Sequence, residues 1–137
     1  MLNNKEDKFY PIAYKEFKKI REDDFFFFNE NTRNYLFLDS LNNVIGEVDV
    51  IITSEAEILF IYVKEELRQK GYGFSILNEL FNILKSEDIK EIFIDVDNKN
   101  IPAISLYNKC GFKTLYTRKE YYKNGHDALV MHKVLEV

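Results

Sequence analysis

Cysteine, proline and glycine are scarce in this chain and tryptophan is absent: one cysteine, two prolines and five glycines stand among 137 residues. With Cys110 alone, no intramolecular disulfide forms and no multi-thiolate zinc site can be assembled, so a reducing cytoplasm is the compartment expected. No run of eighteen apolar residues occurs, and Met1 to Lys8 carry charges where a secretory signal needs an apolar stretch. Neither membrane insertion nor export is therefore expected. The longest apolar block, Phe25 to Phe28, reads as the edge of a buried strand or helix. An excess of positive charge is also lacking, with 19 Lys and Arg against 23 Asp and Glu and a net charge of -4. That balance argues against a general binder of phosphate backbones, and makes a cationic partner electrostatically easier.

What remains is 46% hydrophobic, 15% aromatic and 31% charged, the composition of a globular protein that folds as one domain over residues 1–137. Ile12, Ala13, Phe17 and Ile20 fall at near-helical spacing after Pro11, predicting a short first helix over 11–20. Tyr35 to Leu38, a turn at Asn42-Asn43, and Val44 to Ile52 read as an antiparallel hairpin. The β-branched and aromatic run Ile58 to Val63 reads as an interior strand. Ile76, Leu77, Leu80, Phe81 and Leu84 form one stripe on a helix of roughly four turns. A strand over Ile92 to Val96, a helix opened by Pro102 and stopped by Gly111, and two strands over Phe112 to Thr117 and Ala128 to Val134 complete the order. This is an α/β (α+β) chain, a mixed sheet with hairpins at both ends and helical crossovers in the middle.

The segment from Val63 to Gly73 joins a strand to the start of the long helix. Four unpaired N–H groups and the positive end of the macrodipole make such a start a place for an anion. Gly71 and Gly73 lack the Cβ that would keep backbone and phosphate apart, while Arg68 and Lys70 add charge at the rim. Two glycines spaced by one residue also suit a plain turn before a helix. The ATP-type loop and the dinucleotide fingerprint are poorer matches, the first for want of its final Lys-Ser or Lys-Thr and the second for want of a third glycine.

Arg68-x-x-Gly71-x-Gly73 after a strand ending at Val63, with Asn100-x3-Ile104-x-Leu106-Tyr107-x3-Gly111-Phe112, resembles the coenzyme-A core of the GNAT acetyltransferases. Tyr121-Tyr122-x-x-Gly125-x-Asp127-Ala128-x-x-Met131 is similar to the C-terminal hairpin of the branch that acetylates protein N-termini, including the bacterial ribosomal-protein alanine N-acetyltransferases. The resemblance implies a mixed, mostly antiparallel sheet of about six to seven strands flanked by helices. It implies acetyl-coenzyme A as cosubstrate without a metal, and an amine acceptor: a protein N-terminus, or a small amine as the alternative. It further implies that Ile61, Tyr62 and Val63 offer backbone groups to the pantetheine arm and acetyl carbonyl, that Gln69, Lys70, Gly71, Tyr72, Gly73 and Phe74 wrap the pyrophosphate, and that Asn100 contacts the coenzyme. Tyr107 matches the family's general-acid tyrosine. The glutamate base expected twelve residues before it is Asp95 here, a departure one methylene short.

Acetyl transfer to an amine needs a neutral nucleophile, a polarised carbonyl and a proton for the departing thiolate. Asp95 is open between a proton relay through water, a hydrogen bond to substrate or a helix cap, and a structural role. Tyr107 has aromatic packing on its helix as the plainer alternative. Tyr121 and Tyr122 either line the acceptor groove or cover the sheet end, and Asp127 either braces the loop or meets substrate. Cys110, beside Gly111 and without a histidine nearby, reads as a buried bystander. His126 and His132 read as solvent or sheet-surface residues, two being too few to define a metal site. A module that binds the coenzyme without catalysis is the non-enzymatic alternative, motivated by Asp95.

Overall fold

The computed structural model describes residues 30–135 and, by backbone alone, 13–17. Seven strands, β1 (Ala13–Phe17), β2 (Thr32–Leu38), β3 (Val44–Ile52), β4 (Ala56–Val63), β5 (Glu91–Asp97), β6 (Lys113–Arg118) and β7 (Ala128–Val134), form one sheet in the order β1-β2-β3-β4-β5-β7-β6. Every pair is antiparallel except β4 with β5. That parallel pair requires a crossover, and helix α1 (Tyr72–Ser86) supplies it. A shorter helix, α2 (Ile101–Lys109), connects β5 to β6.

The helix expected over 11–20 is corrected where it can be seen. Ala13–Phe17 is a strand, in register from Ala13 opposite Leu38 to Phe17 opposite Asn34. Five residues hold too little of either periodicity to decide, and pairing with β2 decides instead. The remainder of that segment and the Phe25 to Phe28 block lie outside the described residues.

One face of α1 buries Ile76, Leu77, Leu80, Phe81, Ile83 and Leu84 against the sheet. Six such side chains contribute on the order of 10 kcal/mol before entropy, which outweighs the nucleation cost of a four-turn helix. Strand alternation sends Ile92, Ile94 and Val96 of β5 into the same core, so Phe93, Asp95 and Asp97 belong to the opposite face.

α2 begins at Asn100, whose side-chain oxygen accepts the Ala103 N–H at 3.2 Å, with Pro102 in the first turn. Its end is a Schellman motif: the Gly111 N–H donates to Asn108 O at 3.0 Å and the Phe112 N–H to Tyr107 O at 2.9 Å. Gly111 has φ +99°, the left-handed conformation for which glycine is suited. The motif brings Phe112 against Tyr107, ring centroids 5.8 Å apart and both residues buried. A C-cap read from sequence as a helix stop thus also orients a candidate catalytic side chain.

Candidate active site

The sheet opens in its centre. β4 pairs with β5 only from Ala56 opposite Ile92 to Ile58 opposite Ile94. On its other side, the β3 register jumps from Val50–Ile58 to Asp49–Phe60, leaving Leu59 as the extra residue of a bulge. A bulge bends its strand, and β4 parts from β5 at this point, so its last residues keep one hydrogen-bonding edge without a neighbouring strand.

Gly46 of β3 permits the close packing behind that edge. A Cβ there would stand 2.3 Å from Tyr62 O and 3.3 Å from Val63 Cα. The sequence reading gave Gly46 no role, although a glycine inside a strand was the available signal.

Between the end of β4 and α2 lies a groove of about 780 Å³. It gathers Ile61, Val63, Arg68, Gln69, Gly71, Gly73, Phe74, Asn100 and Tyr107 from the expected set, and adds Pro102, Ala103, Ser105, Leu106 and Lys109 from α2. These α2 residues were missed because α2 has only Tyr107 fully buried and shows no apolar stripe that would reveal its inward side.

The loop entering α1 turns through Gln69 at φ +62° and Gly71 at φ +90°. Left-handed residues so close together turn successive N–H groups to one side, the geometry of an anion-binding nest. Gly71 caps α1 without a side-chain bond, and no acidic residue occupies the first turn to neutralise the dipole. Gly73 also has a packing role. It lies inside α1, and a Cβ there would meet Leu106 Cδ2 at 3.1 Å, so its smallness lets α1 approach α2.

Arg68 folds back: its Nε donates to Val63 O at 2.8 Å and its guanidinium lies 5.3 Å from the centre of the Tyr62 ring. Tyr62, Lys70 and Tyr72 do not line the groove through their side chains. Lys109 stands over Phe74 at 5.8 Å, a second cation on the far wall.

Tyr107 closes the inner end. Burial, with smaller contributions from Cys110 and Tyr122, pushes its hydroxyl up to about 12. No side chain among the described residues hydrogen-bonds it. Cys110 is buried beside it, its thiol raised to about 11 mainly by burial.

Asp95 lies on the other face of the sheet, in a shallower concavity of about 300 Å³ with Glu57, Phe93, Tyr116 and Arg118. Burial raises its carboxyl and Arg118 opposes that rise. Tyr122 connects the two faces electrostatically: its hydroxyl is raised by burial and then by Asp95 and Asp97, and it in turn raises Tyr107. Tyr121 packs edge-on to Tyr122 at 5.1 Å. Asp127 braces their loop, accepting from the Glu120 N–H at 2.9 Å and pairing with Lys119 at 3.6 Å. His126 reaches Asp97 at 2.9 Å, and His132 reaches Glu91 at 2.8 Å. Among the described residues no group of three His, Cys, Asp or Glu is placed to hold a metal.

A forked parallel pair in a seven-stranded sheet, with a nest and an uncapped helix start at its open end, is the architecture of an acyl-coenzyme A transferase fold. The chain belongs to the acetyltransferase (GNAT) family, whose model matches residues 2–112. It is 34% identical over 85 residues to an N-alpha-acetyltransferase of Saccharolobus solfataricus, covering 61% of this chain and 51% of that protein. To the ribosomal-protein-alanine N-acetyltransferase of Salmonella typhimurium it is 30% identical over 84 residues, covering 59% and 57%. The chain thus spans about half the length of the curated relatives it matches. Among solved structures, the ribosomal-protein-alanine N-acetyltransferase of Escherichia coli superposes with a TM-score of 0.71 at 23% identity over 80% of this chain and 72% of that one. Spermidine N-acetyltransferase of Vibrio cholerae, solved with CoA and spermine, gives 0.72 at 24% over 77% and 67%. At these identities the structural likenesses establish the fold.

The groove suits acetyl-coenzyme A by its chemistry. The nest and helix start answer a pyrophosphate, Arg68 and Lys109 add positive charge, Ile61, Val63 and Leu106 offer apolar walls to a pantetheine arm, and the free edge of β4 matches its amides.

Proposed function

We propose that the protein transfers an acetyl group from acetyl-coenzyme A to a primary amine, by direct attack in a ternary complex, and that the acceptor is the N-terminal α-amine of a polypeptide. The observation that carries the reading is the opening of the sheet at Leu59, with the groove beside the end of β4 and Asp95 on β5 one residue beyond Ile94, the last residue of β5 that pairs with β4. The N-terminal acceptor is supported by the similarity to N-alpha- and ribosomal-protein-alanine N-acetyltransferases.

Acetyl-coenzyme A, when bound, supplies an activated thioester. The chain's own groups do the rest. A backbone N–H at the end of β4 donates to the carbonyl oxygen as charge develops there, a contribution of about 3–4 kcal/mol where single donors have been removed from other enzymes. Asp95 accepts a proton from the amine, through water because its side chain is short. An α-amine has an ordinary pKa of about 8 and asks less of such a base than a lysine amine near 10.4.

Tyr107, which lines the groove, is the group assigned to the departing sulfur. At about 12 its hydroxyl stays protonated at neutral pH. Complete transfer to a thiolate with an ordinary pKa of about 8.5 would be uphill by about 5 kcal/mol. Tyr107 therefore serves as a hydrogen-bond donor that stabilises the sulfur, and solvent supplies the final proton.

A small cationic amine is the second acceptor reading, favoured by the carboxylates Glu57 and Asp95 in one concavity. Coenzyme release measured over a panel of peptide N-termini and polyamines tests both. Turnover on peptides supports the proposal. Turnover on polyamines alone would overturn the N-terminal acceptor, and turnover on no amine would overturn the enzymatic reading.

A further inference from the structure

Arg118 sits at the end of β6, between two of the motifs that define the family resemblance and in neither, and it joins three parts of the acceptor face. Its Nε lies 3.9 Å from Asp95 Oδ2 on β5, reaching across β7. Its Nη2 donates to the Tyr116 hydroxyl at 3.2 Å. The guanidinium stacks over the rings of Tyr116 and Tyr121, 5.4 and 5.6 Å from their centres. Two aromatic faces and a hydroxyl thus fix a side chain that would otherwise sample many rotamers, and its charge acts on Asp95, with which it pairs, and on Glu57.

The groups around Asp95 make that charge consequential. Glu57 on β4 shares its concavity, and the Glu57 carboxyl is itself raised by burial and then by Asp95. Glu55 lines the same hollow, and Tyr122 approaches from the β6–β7 loop with a hydroxyl that Asp95 perturbs. β7 presents uncharged Val130 directly opposite Asp95. Asp97 stands on the same face of β5, Tyr116 lines the same hollow, and Arg118 is the cation that pairs with Asp95. Burial works against the ionised form of Asp95, and the Arg118 guanidinium works the other way.

We propose that Arg118 is a positioning residue: it holds Asp95 ionised and aimed at the acceptor amine, and ties it to the Tyr121-Tyr122 loop. The inference rests on the catalytic reading of Asp95 given above.

The test follows the side-chain carboxyl carbon of Asp95 by NMR through a pH titration of the full chain, with the resonance assigned by Asp95→Asn. In Arg118→Gln the Asp95 midpoint rises by about one pH unit, the low end of the effect of an adjacent arginine. Tyr116→Phe deletes only the hydroxyl that anchors the guanidinium and moves the midpoint the same way by less, which keeps the test intact if Arg118→Gln folds poorly. The acidic limb of kcat at saturating acceptor moves with the midpoint, and Arg118→Lys restores part of it. A merely structural arginine would lower kcat uniformly and leave the limb in place. An unmoved midpoint in both variants overturns the inference. A wild-type rate in Asp95→Asn instead overturns the catalytic reading of Asp95, so the two failures are distinguishable.

Discussion

Replacing Tyr107 by phenylalanine removes one oxygen and little else. The ring keeps its packing against Phe112 at 5.8 Å, and the lost hydroxyl has no protein partner among the described residues to be orphaned. Fold stability should change by less than about 1 kcal/mol. The chemistry should suffer more. A hydrogen bond to a charged atom is worth about 1.5–3 kcal/mol, which at 1.36 kcal/mol per tenfold gives a fall in kcat of roughly 10- to 150-fold. The hydroxyl acts on the sulfur only as it departs, so coenzyme affinity should stay within about twofold of wild type. Steady-state coenzyme release gives kcat, and calorimetry gives the affinity. A rate within about threefold of wild type would refute the role assigned to Tyr107. A matching collapse of coenzyme affinity would refute the separation of binding from chemistry.

Three further outcomes are expected. Tyr107 and Cys110 are raised by burial from ordinary values of 10.0 and 9.0 to about 12 and about 11, so above pH 9 the folded protein holds protons that the unfolded chain releases. Stability is then fully present below about pH 8 and falls as pH rises through about 11 for Cys110 and about 12 for Tyr107, by about 3 kcal/mol for Tyr107, and Tyr107→Phe should remove the later part of that fall in denaturant melts. Gly46→Ala forces a Cβ against Tyr62 O; it should cost about 2 kcal/mol, lower Tm by roughly 5–10 °C and weaken coenzyme binding by displacing the end of β4. Gly111→Ala places a side chain at φ +99°, which should cost about 1–2 kcal/mol and lower kcat more than coenzyme affinity, because Phe112 and Tyr107 are positioned by that cap.

The elements whose periodicity is long or whose ends are punctuated were legible in the sequence. The stripe of α1, the run of β4, and the Asn100, Pro102 and Gly111 boundaries of α2 each carry a local physical cause, and the structure reproduces them within a residue or two. The side on which Asp95 stands was legible as well, since Ile92, Ile94 and Val96 fix the parity of β5. β1 was misread because Ala13 to Phe17 is too short for its spacing to outvote a neighbouring strand. The bulge at Leu59 left no trace, as neither glycine nor proline marks it. With the bulge unseen, no local pattern announced the fork in the sheet, and α2 lacked the apolar stripe that would have shown its groove side. The loop entering α1 was singled out by its glycines, but the closeness of Gly73 to Leu106 across the helix pair is a contact only the packed structure defines.

Whether this groove holds acetyl-coenzyme A decides the account most directly. Calorimetric titration of the protein with acetyl-coenzyme A, repeated with Gly71→Val and Gly73→Leu, should give micromolar affinity that is lost in both variants while their thermal melts remain cooperative. An absence of binding to the unaltered protein, or affinity unchanged by either substitution, would contradict it.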